Sequence, residues 1–118
     1  MTDLLARIFT AHGPQDILIS AVSVIEIEHG LWRANTPQLT RQRRQYIDEI
    51  YQAIPVRPFT KEMGEMAAKV DAEARKIGEV IPFADLQIGI TALYLGYAIL
   101  TGNPRHFSMI PNLGVKQL

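Results

Sequence analysis

The sequence contains no cysteine. That excludes disulfides, a thiol nucleophile and any zinc site built on thiolates, and it suits a reducing compartment, so the cytoplasm is the expected location. There is no excess of either charge, with 12 Lys+Arg against 12 Asp+Glu. The chain as a whole is therefore not drawn to nucleic acid or to a membrane, and any such attraction must be local. No charged segment followed by an apolar signal core stands at the start. No uninterrupted apolar run reaches membrane-spanning length; residues 86–100 come nearest, and Gly96 breaks them. A glycine-rich phosphate loop and a G-x-S-x-G elbow are also missing. So are internal repeats, low-complexity stretches and linkers. What remains is a chain of 118 residues, 47% of them apolar. That is enough for one domain with a real core, spanning 1–118, and too little for two.

The elements follow from periodicity and punctuation. Residues 2–12 place Leu4, Leu5, Ile8 and Phe9 on one helical face, and Gly13-Pro14 stops that helix. "ILIS" (17–20) reads as a short strand of the kind buried in a parallel sheet. "SVIEIEHGLWRA" reads as a helix opened by Ser23 and broken at Thr36-Pro37. Residues 38–53 form an amphipathic helix with Arg41, Arg43 and Arg44 near its start. The two prolines of "IPVRPF" (54–59) suit an edge strand. Thr60 caps a helix closed by Gly78. "IPFADLQIGITALYLGYAILTGN" (81–103) supplies a helix over about 83–95 and the strand "YAILT". A short helix follows Asn103-Pro104, and "GVKQL" is a last strand. Helices alternating with short apolar strands predict an α/β layered fold with a mainly parallel sheet.

In such sheets, ligands sit beyond the carboxyl ends of the strands. Three polar residues qualify. Glu26 lies three residues after Ser23, which also makes a capping box, worth about 1 kcal/mol. The two roles are compatible. Asp85 stands at the mouth of a helix whose Leu86, Ile88, Ile90, Leu93 and Leu95 point in nearly every direction. A helix buried on most sides gives its first carboxylate reason to face a cleft, although the helix dipole alone also favours an acid there. Asn103 follows the strand "YAILT" and, before Pro104, also fits an N-cap. Weaker patterns carry less. Glu26-x-x-His29 has di-metal spacing but lacks the second copy that such sites need. His12, His29 and His106 show no paired metal spacing. "RQRR" offers either a phosphate grip or a solvated helix face.

Three blocks in order carry a resemblance: "ISAVSVIEIEHGL", "IPVRPFTKEMGEMAAKV" and "IPFADLQIGITALYLGYAILTGNPRHFSMIPNLGV". Over residues 17–118 the sequence resembles the PIN-domain family, in particular the VapC-type toxins of bacterial toxin–antitoxin pairs. The resemblance implies a Rossmann-like three-layer fold and an endoribonuclease using Mg²⁺ or Mn²⁺. It implies Glu26 and Asp85 as metal ligands, Asn103 in the place of a further acid, and Thr101 orienting a water or a carboxylate. It also implies RNA as substrate, a cognate antitoxin as partner, and a homodimer.

The chain departs from the family pattern at one point. Members open with an apolar strand ending in Asp-Thr or Asp-Ser, and that aspartate is a main metal ligand. Here Asp3 precedes its apolar pair and Asp16 stands before "ILIS", so neither takes the role. The expectation is a domain without that first central strand, with weak or undetectable cleavage. The alternatives are a catalytically degenerate PIN domain kept for antitoxin binding or dimerisation, and an unrelated α/β regulatory domain. Glu26 and Asp85 are expected to converge on one cleft with Asn103 on its rim.

Overall fold

The computed structural model of the protein describes residues 17–117, in two compact units that meet in sequence at Arg57 and Pro58. The helix expected over 2–12, together with Asp3, His12 and Asp16, lies outside the described residues.

In the first unit, strand β1 (Ile19–Ser20) is shorter than the apolar run predicts. It pairs in parallel with β2 (Val56–Arg57), with Ile19 opposite Val56. The Ile19 N–H donates to the Pro55 carbonyl at 2.9 Å. β2 has β1 as its only strand neighbour among the described residues, the edge role its flanking prolines predict. Helix α1 (Ala21–Trp32) starts directly after β1. Its N-cap is Ser20, whose hydroxyl accepts the Val22 N–H at 3.2 Å. This corrects the expected start at Ser23. The helix is capped three residues earlier because a serine already stands at the strand end, where extended backbone suits a cap. Glu26 thus falls on the second turn and closes no capping box.

Thr36-Pro37 does more than break α1. The Thr36 hydroxyl accepts the Leu39 N–H at 3.1 Å and Pro37 takes the first helical position, so the pair opens α2 (Pro37–Ala53). Helices α1 and α2 pack together, with Leu31 and Ile47 buried. A polar network also joins them. Arg44 contacts Glu28 at 2.9 Å and Asp48 at 2.8 Å. The Tyr51 hydroxyl donates to Glu28 at 3.2 Å.

The hydrogen bond from Arg44 holds the Glu28 carboxyl below its ordinary value of 4.5, against a smaller opposing effect of desolvation. A depressed carboxyl pKa contributes stability above the unfolded value, and that contribution fades as pH falls through the folded value. Wild type is therefore expected to lose stability as pH drops below about 4.5. Arg44→Ala should flatten that loss and cost up to about 1 kcal/mol near neutrality, since the pair is a third exposed. Acid titration of the unfolding midpoint in both proteins checks this.

In the second unit, α3 (Lys61–Lys76) opens with a reciprocal cap. The Thr60 hydroxyl accepts the Met63 N–H at 3.3 Å, and the Met63 sulfur accepts the Thr60 N–H at 3.4 Å. Gly78, at φ +80°, turns the chain after it. Helix α4 (Phe83–Leu95) ends at Gly96, also left-handed. Strand β3 (Ile99–Thr101), the four-residue helix α5 (Pro104–Phe107) and strand β4 (Val115–Gln117) complete the unit. β3 and β4 pair in parallel, Ile99 opposite Val115. Every strand pairing among the described residues is parallel, in two sheets of two strands each, and the alternation with helices is α/β as expected.

The core of this unit joins Met63, Ala67 and Ala74 of α3 to Ile81, to Leu86 and Ile90 of α4, and to Ile110. At Gly89 the α4 backbone runs so close to the segment after α5 that a Cβ would collide with Ile110 Cδ1. The expectation that α4 is buried on most sides holds only for its middle. Leu86, Gly89, Ile90, Thr91 and Ala92 are buried, whereas Phe83, Tyr94 and Leu95 near the two ends are exposed. No helix among the described residues is long and apolar enough to cross a membrane.

Candidate metal-binding site at the end of β3

Residues 98–108 build one side of the site. β3 runs out at Thr101, and its hydroxyl accepts the Asn103 N–H at 3.0 Å, which bends the chain sharply off the strand. Asn103 then occupies the N-cap of α5, with Pro104 at the first helical position. Its side chain makes no capping bond, contrary to the simplest reading of Asn-Pro. The backbone at Asn103 (φ −133°, ψ 81°) already leans on Thr101, and the amide is left at the exposed strand end.

Asp85 supplies the other side. It stands in the first turn of α4, where the helix dipole favours a carboxylate. Its Oδ2 lies 2.8 Å from Nδ1 of His106, on α5. The two side chains keep 25% and 29% of their exposure, so the pair is sheltered yet open to solvent on one side. Because α5 begins where β3 ends, the Asp85–His106 contact brings the start of α4 to the carboxyl end of β3. The contact thus ties Asp85 to the short helix that follows Thr101 and Asn103 in the second unit.

The spacing of the histidines in the sequence assigns His106 no role. The signal was present. His106 lies one turn into the helix that follows the strand end, and the rule that drew attention to Asn103 reaches it two residues beyond Pro104.

The other predicted residues lie in the first unit. Glu26 is exposed on the second turn of α1. Arg43 donates to the Gly30 carbonyl at 2.6 Å, and Arg44 is engaged by Glu28 and Asp48. Two of the three arginines therefore spend their guanidinium groups on holding α2 against α1. Arg41 is exposed. No group of three or more His, Cys, Asp or Glu that would hold a metal ion is assembled among the described residues.

A parallel α/β arrangement with an amide past a strand end, and an acid tied to the helix that follows it, describes a class of fold and site. The sequence itself specifies the class further. It matches the PIN domain model over residues 2–112, across both units, and the chain belongs to the PIN domain family.

Solved structures share the fold at low identity. One is VapBC2 from Rickettsia felis bound to a DNA fragment from its promoter, with 22% identity, TM-score 0.76, and 86% of this chain and 74% of the other covered. Another is DNA-bound VapBC from Salmonella typhimurium, with 17% identity, TM-score 0.82, and 96% and 83% covered. A third is VapBC-5 from Mycobacterium tuberculosis, a member of the VapBC family of toxin–antitoxin systems, with 17% identity, TM-score 0.68, and 86% and 79% covered. No curated protein matches the sequence significantly.

Proposed function

We propose that the protein is a divalent-cation-dependent endoribonuclease of the VapC toxin type, acting in the cytoplasm and held by a cognate antitoxin, with a homodimer as its working form. The observation that carries this reading is the Asp85–His106 contact, which ties the first turn of α4 to the helix that follows β3, in a chain of the PIN domain family. RNA is the substrate expected of that family type.

The donor set suits a hard cation. Asp85 has one oxygen bound to His106, while its other oxygen makes no hydrogen bond among the described residues. The Asn103 amide oxygen and Thr101 hydroxyl add neutral oxygens. Mg²⁺ keeps several waters and needs few protein ligands, so one carboxylate with neutral oxygens is compatible with it, and Mn²⁺ accepts the same donors. Glu26 is the second carboxylate that the family pattern assigns. When bound, the cation lowers the pKa of a water and meets the charge that develops on the scissile phosphodiester. The protein's own part is to hold Asp85 aimed, and to keep Thr101 positioned at the strand end. Asn103 is neutral in the place where the family resemblance implies a further acid. Binding is therefore expected to be weak and cleavage slow, requiring generous divalent cation. The direct test is cleavage of RNA with Mg²⁺ or Mn²⁺ and after chelation. Cleavage that persists undiminished after chelation would sink the proposal.

Contact with RNA phosphate is expected mainly from Arg41, whose neighbours Arg43 and Arg44 are already bonded. Arg41→Ala should weaken RNA binding across sequences and flatten the salt slope by about 1, with the fold unchanged. Binding isotherms over a salt series check this.

A second reading is favoured by the neutral Asn103 and by the engagement of Asp85 with His106. It is a catalytically silent PIN domain kept for its partner. Large exposed apolar residues in each unit, Trp32 at 78% and Phe83 at 75%, support a partner in either reading. The chelation experiment separates the two, since the silent module shows no cleavage under any metal condition.

A further inference from the structure

We infer that His106 is a positioning residue that fixes which oxygen of Asp85 is offered to a cation; this rests on the cation-site reading given above. The bond is 2.8 Å long and links two different elements, α4 and α5. The ion pairs Lys61–Glu65 and Arg75–Asp71 of the same unit are different in kind, each within one helix at i,i+4 spacing.

An ionised carboxylate only accepts hydrogen bonds, so the proton in the Asp85–His106 bond resides on Nδ1 of the imidazole. His106 therefore donates through Nδ1, and Nε2 is the nitrogen left unprotonated in the neutral ring. Oδ2 is tied and Oδ1 is the oxygen free to meet a cation, through one contact only. The imidazole is itself held in place. α5 packs on α4 and near β4, and the adjacent Phe107 is buried, as is Ile110 one turn on. A rigid donor on a short anchored helix stops the Asp85 carboxylate from turning about its last torsion. Outer partners of this kind orient metal ligands, and removing them typically costs about 10–100-fold in affinity.

Three measurements test this on the intact chain. In nitrogen-detected NMR of the imidazole, the neutral His106 ring should be the Nδ1–H tautomer and should lose that preference in Asp85→Ala. Calorimetry with Mn²⁺ should show His106→Ala binding about 10-fold more weakly, with circular dichroism unchanged. His106→Asn, whose amide N–H reaches where Nδ1–H does, should recover most of that loss. An Nε2–H tautomer in the wild type overturns the inference. So does Mn²⁺ binding that Asp85→Asn removes but His106→Ala leaves intact. Mn²⁺ binding indifferent to Asp85→Asn overturns the cation-site reading itself, and the inference with it.

Discussion

Asp85→Asn is expected to reduce divalent-cation-dependent RNA cleavage at least about 100-fold, since even partners that only orient a metal ligand cost about 10–100-fold when lost. The substitution is close to isosteric. Asparagine keeps an oxygen that still accepts the His106 N–H, so the contact between α4 and α5 survives and the fold should be unaffected. What disappears is the negative charge, and among the described residues no other acid is bonded to His106, Thr101 or Asn103 to replace it. A hard cation bound through oxygens depends on that charge. The same variant should raise the cation concentration needed for any residual cleavage. Initial rates over a Mg²⁺ titration, with thermal unfolding as the control, decide the matter. Full cleavage in Asp85→Asn would place the chemistry on other residues.

Ile90→Ala should have the largest effect on stability, about 2–5 kcal/mol. Ile90 is fully buried in the second unit, in the cluster formed by Met63, Ala67, Leu86 and Ile110. Gly89 beside it brings α4 so close to Ile110 that the surroundings are already in contact and have little room to collapse into the space vacated. Poor relaxation pushes the cost of a large-to-small change towards the upper end of the range. For a domain whose total stability is of order 5–15 kcal/mol, such a loss leaves a visible unfolded fraction under mild denaturant. Ile77→Ala is the matched control. It removes an equal side chain that is 74% exposed, and should shift stability by less than about 0.5 kcal/mol. Urea unfolding of the two variants checks both figures; equal midpoints would refute the assigned core.

How far the sequence reached is clearest at particular residues. Thr60 and Gly78 announced helix ends that the structure reproduces, because caps and left-handed turns are set by a few neighbouring backbone groups. Ser23 misled for a related reason. Ser20 and Ser23 carry the same chemistry, and only the end of β1 selects between them. The arginine cluster was legible as charge, but its use was not. Whether Arg44 meets a phosphate or Glu28 depends on α1 packing against α2, sixteen residues away in the chain.

The sequence by itself determined the α/β alternation, the edge character of β2 and the candidacy of Asp85 and Asn103. These rest on local hydrophobic periodicity, on proline's missing donor and on the preference for polar groups past strand ends. The tertiary structure alone decided that Asp85 meets His106, twenty-one residues on, and that Arg43 and Arg44 serve the helix pair. Such contacts are fixed by where α5 docks against α4 and α2 against α1. Docking follows from the shapes of buried side chains such as Ile90 and Ile110, which no spacing of polar residues records.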